Sequence, residues 1–215
     1  MSGLATSSHL RRFAQAPSRA PLERCELCAA AIAAEHRHLL DVSTRTLRCA
    51  CRACAILFDR STAGGGHYRL VPERYRKLDA AVLDDGAWER LGIPVETVFF
   101  FASTPAGRVV AFYPSPMGAT ESLLDLAAWA DLAARNPVLA RMEPDVEAFL
   151  VHRARGAREH WVVPVDACYR LVGIVRTSWR GFTGGREVWG EIGRFFATLE
   201  ERKEERWRSR RSWTT

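Results

Sequence analysis

No stretch of this 215-residue chain is apolar over the length that a bilayer-spanning helix requires, and Met1–Ala20 lacks the continuous apolar core of a secretory leader. Arg11, Arg12 and Arg19 interrupt it instead. A cytoplasmic setting, in which thiols stay reduced, is the expectation. The chain also lacks a Gly-x-Ser-x-Gly elbow, a His-Glu-x-x-His pair and a dinucleotide fingerprint, so the common signatures of serine hydrolases, zinc peptidases and nucleotide-dependent oxidoreductases are missing. Gly64-Gly65-Gly66 precedes His67-Tyr68-Arg69 rather than Gly-Lys-Ser/Thr, which excludes a phosphate-cradling loop and leaves a flexible turn. No internal repeat is present, and lysine is reduced to Lys77 and Lys203.

What is present is an ordinary globular composition, 47% hydrophobic and 26% charged, long enough for a genuine core. The formal charge of +6 resides in the two ends. Residues 1–24 carry four Arg against one Glu, and residues 201–215 carry six basic against three acidic side chains. The body between them is neutral, which argues against a broad nucleic-acid-binding face. Trp207 and Trp213 lie among arginines, a pattern that suits base stacking but suits a solvated tail or a protein contact better.

Five of the six cysteines fall within thirty residues, as Cys25-x-x-Cys28 and Cys49-x-Cys51-x-x-Cys54. Two Cys-x-x-Cys pairs about twenty residues apart match a closed tetrahedral thiolate site. Each pair can grip an ion from one tight turn. Cys25, Cys28, Cys51 and Cys54 are the expected ligands, with Cys49, His36 and His38 as further candidates. Zinc is the expected metal and iron the alternative, since the same donors bind both. Rubredoxin-type turns carry Gly after the second Cys, where Ala29 and Ala55 stand here. A disulfide framework is the competing reading of the cysteines, disfavoured by the expected compartment. Cys168 lies on an apolar helical stripe and reads as an inert buried thiol.

The expected fold is α+β, with an N-terminal treble-clef or zinc-ribbon-like module followed by a small antiparallel sheet covered by helices. We divide the chain into a disordered arm (1–22), a cysteine-rich module (23–62), a connecting segment (63–94), an α+β domain (95–200) and a basic tail (201–215). Residues 38–42 and 45–50 read as two strands joined at Ser43-Thr44. The run from Cys51 reads as a helix start, where free N–H groups favour thiolates. A helix over 78–91 ends near Gly92, and residues 95–102 and 108–113 form a hairpin. Phe99, Phe100 and Phe101 in succession indicate a strand covered on both faces, and Pro114 and Pro116 end the hairpin. Thr120 or Ser122 caps a helix carrying Leu123, Leu126, Ala127, Ala130 and Ala133, which Asn136-Pro137 stops. A further helix starts at Pro144. Residues 160–165 give a third strand, Asp166 caps the next helix, and a final helix from Arg186 buries Val188, Ile192, Phe195 and Leu199.

Seven segments together resemble a bacterial family of unknown function whose genes sit beside those of high-affinity uptake nickel–iron hydrogenases. They are residues 24–28, 35–41, 49–54, 111–116, 118–122, 164–169 and 179–185, within a likeness spanning most of residues 24–199. The resemblance implies a role in hydrogenase assembly or electron transfer and carries over no catalytic residue. The expectation is therefore a metal-binding accessory protein, not an enzyme, that meets a nickel–iron hydrogenase or its maturation machinery through protein contacts. A rubredoxin-like electron carrier is the alternative. An HNH-like treble-clef nuclease, using His36 or His38, is the third reading, although the expected helix after Cys51 offers it neither histidine nor asparagine.

Overall fold

A computed structural model describes residues 23–58, 63–122, 127–181 and 184–211. Within them the chain forms β1 (Arg37–Asp41), β2 (Thr46–Ala50), α1 (Arg52–Leu57), β3 (Tyr68–Leu70), β4 (Arg76–Lys77), α2 (Asp85–Leu91), β5 (Thr97–Ser103), β6 (Arg108–Ser115), β7 (Gly118–Glu121), α3 (Ala127–Arg135), α4 (Pro137–Ala140), β8 (Glu147–His152), β9 (Glu159–Pro164), α5 (Val165–Ser178) and α6 (Gly185–Arg211). The protein is α+β with antiparallel pairing throughout. A small sheet has the order β2-β1-β3, and a six-stranded sheet the order β4-β9-β8-β5-β6-β7.

The three consecutive phenylalanines explain the larger architecture. Alternation along β5 sends Phe99 and Phe101 to one face and Phe100 to the other, and all three are buried. Phe99 and Phe101 join Phe112, Leu150 and Trp161 beneath α5 and α6. Phe100 joins Val98, Phe149 and Val151 beneath α2 and α3, where Trp129 stacks on it at 5.2 Å. Each face therefore carries its own core. Val188, Ile192, Phe195 and Leu199 form the buried stripe of α6 as the periodicity indicates.

The structure corrects several local expectations. No helix begins at Pro144: residues 147–152 form β8, whose six residues are all buried between β5 and β9. β-branched and aromatic side chains here suit a doubly covered strand, and a fully buried run has no alternation to reveal it. The sheet thus has six strands, not three. Pro114 does not end β6. Pairing with β5 stops at Phe112, and the strand continues beside β7 through Ser115. Thr120 lies inside β7 rather than capping a helix, while Leu123 and Leu126 lie outside the described residues. Residues 78–91 divide into a short 3-10 turn, Ala80–Val82, and α2, which Asp84 caps by accepting from the Ala87 N–H at 2.6 Å. Gly92 ends α2 at φ +63°, a conformation that costs glycine nothing.

The segment expected to be a connector supplies a strand to each sheet, β3 and β4. Leu40, Val71, Val146 and Val165 form a third apolar cluster where the sheets meet. Polar links reinforce it. Arg69 on β3 donates to Asp145 at 3.4 Å, and Arg45 donates to Glu121 at 3.1 Å. Asp145 is buried at φ +66° and also accepts from the Thr104 N–H and hydroxyl at 2.8 and 2.5 Å, which satisfies a carboxylate otherwise expensive to bury. Arg202 on α6 reaches Tyr75 at 3.2 Å. The arm over 1–22 and the side chains of Trp207 and Trp213 lie outside the described residues, whereas the backbone of α6 continues into the basic tail as far as Arg211.

Candidate metal centre

The first two cysteines occupy a single tight turn. The Ala29 N–H donates to the Cys25 carbonyl and the Cys25 N–H to the Ala30 carbonyl, both at 2.8 Å. Ala29 closes the turn at φ +61°, a left-handed geometry that costs an alanine about 1 kcal/mol. Glu26 ties the turn to β2. Its N–H donates to the Cys49 carbonyl at 2.9 Å, and its carboxylate accepts from the Cys49 N–H at 2.6 Å and from Arg48 at 3.2 Å. Cys51 is the N-cap of α1, and its sulfur accepts from the Cys54 N–H at 3.5 Å. The second pair therefore sits in the first turn of a helix, as the sequence indicates. Ala55 is a buried helical residue, not a knuckle residue.

These two supports bring the Cys25, Cys28, Cys51 and Cys54 sulfurs within 4.8 Å of one another. All six cysteines are free, and the Cys28 and Cys51 sulfurs lie 3.6 Å apart. Four sulfurs at about 2.3 Å from a shared ion would stand about 3.8 Å from each other, so the donor set fits a tetrahedral thiolate site.

The electrostatics point the same way. Burial works against ionisation of Cys25, but N–H groups of Cys51, Leu27 and Cys28 outweigh it and bring the thiol down to about 6. The Cys54 N–H likewise lowers Cys51. Burial and the three neighbouring thiols push Cys54 up to about 12, and Cys25 and Cys51 raise Cys28 despite the Ala30 N–H. Thiolates packed this closely repel one another, and a cation among them would relieve that repulsion.

The remaining three candidates are not part of that cage. His36, His38 and Cys49 form a second group whose ligand atoms also lie within 4.8 Å of each other. His38 and Cys49 face each other across the β1–β2 pairing, and the His36 and His38 rings meet edge-to-face at 4.9 Å. Burial, then the charges of Glu26 and Glu23, raises the Cys49 thiol.

Asp166 is the residue that sequence reasoning misread. It sits in the first turn of α5 but caps nothing; its carboxylate accepts from His38 Nδ1 at 2.8 Å. The partners are 128 positions apart, so no local pattern could have joined them. Cys168 is fully buried and its thiol is pushed well above the usual range by burial, as an inert core residue requires.

The model of a family of unknown function, DUF5947, matches residues 24–203. The chain belongs to that family. No curated protein and no solved structure matches it. The matched span begins one residue before Cys25 and includes both cysteine pairs, both sheets and the described part of α6 up to Lys203. Among the described residues no helix is long and apolar enough to cross a membrane.

Proposed function

We propose that this protein is a metal-binding accessory factor in which zinc at Cys25, Cys28, Cys51 and Cys54 holds a treble-clef-like module in shape for contact with a protein partner. The convergence of those four sulfurs carries the reading. Four protein ligands leave no position for a substrate, which is the signature of a structural ion rather than a catalytic one. The order turn, hairpin and cysteine-bearing helix supports the treble-clef reading. Beside the centre, Ile56 and Leu57 on α1 are 65% and 63% exposed. Two neighbouring aliphatic side chains in water next to a rigid cage suit a contact surface. The resemblance described above supports a nickel–iron hydrogenase, or the machinery that matures it, as that partner.

Two measurements test this reading. Anaerobically purified protein should carry zinc at the four thiolates and show no visible band that bleaches on reduction. The tagged chain should capture hydrogenase subunits or maturation proteins, and Ile56→Glu/Leu57→Glu should abolish capture while zinc stays bound. Zinc loss would instead assign the pair to folding, and capture unaffected by the change would remove them from the interface.

A rubredoxin-like carrier is the second reading, favoured by one observation: Ala29 adopts the left-handed geometry of such turns without a glycine. The helical setting of the second pair disfavours it. Iron with thiolate-to-iron absorption that bleaches on reduction would reverse the order.

A further inference from the structure

We propose that His36, His38 and Cys49 hold a second metal ion, a divalent first-row cation, separate from the four-thiolate centre and with one coordination position left open. Two imidazoles and a thiolate are a three-ligand donor set of intermediate softness, the kind that leaves a fourth position for water or a small ligand.

The hydrogen bonds assign the nitrogens. A carbonyl oxygen can only accept, so the 2.9 Å contact of His36 Nδ1 with the Ala33 carbonyl places the proton on Nδ1 and the free lone pair on Nε2. That Nε2 is buried and has no partner among the described residues, on a side chain only 10% exposed. An orphaned buried acceptor is unfavourable, and a metal ion is the partner that a lone pair beside a second imidazole and a thiol would serve. His38 is set up alike. Its Nδ1 donates to Asp166 at 2.8 Å, which leaves Nε2 as the nitrogen free to ligate. Carboxylate, histidine and metal in line is the usual way a protein fixes a ligating imidazole.

The backbone brings the three donors together, and Cys49 also shares its support with the first centre through Glu26. His36 and His38 are two residues apart and share one face of the extended chain. Cys49 is the direct cross-strand neighbour of His38. Asp166 approaches from α5, so the small sheet supplies the ligands and the larger domain orients one of them. His36, His38 and Asp166 also line a cavity of about 520 Å³, with Tyr75 and Arg170 on its wall. It offers room for water or a small molecule beside the ligands.

Metal counting on the full-length chain tests the proposal. Protein stripped of metal under reducing, anaerobic conditions is titrated with Co²⁺. Two equivalents should bind, one with the strong sulfur-to-cobalt absorption of four thiolates and one with the weaker absorption of a single thiolate. Cys49→Ser and His36→Ala should each bind one equivalent with the four-thiolate spectrum unchanged, which also reports that the module has folded. Asp166→Asn should keep two equivalents and weaken the second about 10–100-fold. Saturation of the wild type at one equivalent would overturn the proposal. So would a second equivalent that Cys49→Ser leaves in place. Loss of the four-thiolate spectrum from Cys49→Ser would assign Cys49 to the first centre and equally overturn it. None of these outcomes depends on the identity of a protein partner, so the accessory reading stands or falls separately.

Discussion

The cysteine module and the six-stranded sheet solve the folding problem by different means. The sheet buries two apolar faces, with Phe99, Phe149, Leu150 and Trp161 completely removed from water. Between Glu23 and Phe58 the buried hydrophobic residues are Cys25, Ile32, Leu39, Leu40, Ala50 and Ala55, and Leu40 belongs to the cluster shared with the sheet. A core that small cannot offset the conformational entropy of its own chain. The sheet is held by burial, and on the reading proposed above the module is held by its metal ligands, so each would respond to a different insult.

The largest effect expected from breaking this contrast is local. Cys25→Ser removes one ligand of the proposed site, and metal binding in small thiolate modules is worth of order 10 kcal/mol or more. Hydrogen exchange should show residues 24–57 losing protection while β5, β8 and β9 keep theirs. Equal loss in both regions would show that the sheet needs the module. Phe100→Ala reverses the contrast. It leaves a cavity beneath Trp129 and Phe149 and should lower unfolding stability by about 3–5 kcal/mol, with the four-thiolate absorption of the cobalt-loaded protein intact.

A smaller effect belongs to pH. Burial depresses both His152 and His160 below the ordinary histidine value. The unfolded chain then binds more protons than the native one, so stability is complete above about pH 6.5 and falls as pH drops through that value. Denaturant midpoints measured between pH 7.5 and 5.5 should decline, and His160→Leu should flatten part of the decline. An unchanged slope would remove His160 from the account. The smallest effect is at the turn. Ala29→Gly relieves a left-handed alanine and should slow metal release, with a gain of about 1 kcal/mol or less once the greater freedom of glycine in the unfolded chain is counted.

These differences also explain what could be read from the sequence. The convergence of Cys25, Cys28, Cys51 and Cys54 was legible because paired Cys-x-x-Cys spacings place sulfurs in tight turns, and the β1–β2 hairpin and the Cys51 cap followed from the same segment. The doubly covered β5 was legible from three adjacent phenylalanines. β8 was not, because a strand buried on both faces has no polar alternation and Pro144 resembles a helix start. The role of Asp166 was hidden for another reason. Its position in α5 is local, but its partner His38 is brought to it only by the docking of the two sheets. The grouping of His36 and His38 with Cys49 likewise depends on which residues pair across β1 and β2, information that spacing alone does not carry.

That pairing makes the hairpin turn a gatekeeper for chemistry it never touches. The Asp41 carboxylate accepts from the Ser43 N–H and hydroxyl and from the Thr44 N–H, and Arg45 closes the turn at φ +55°. Together they place Cys49 opposite His38 and deliver Cys51 to the start of α1. Shifted by one residue, β2 would present Arg48 or Ala50 to His38 and send Cys49 to the other face of the sheet. A nascent chain in the wrong register would therefore be unable to assemble the three-ligand group and would misplace the cap of the four-sulfur cage. An ion bound at the proposed centre would double as a proofreader of strand alignment, since only the correctly paired hairpin could hold it.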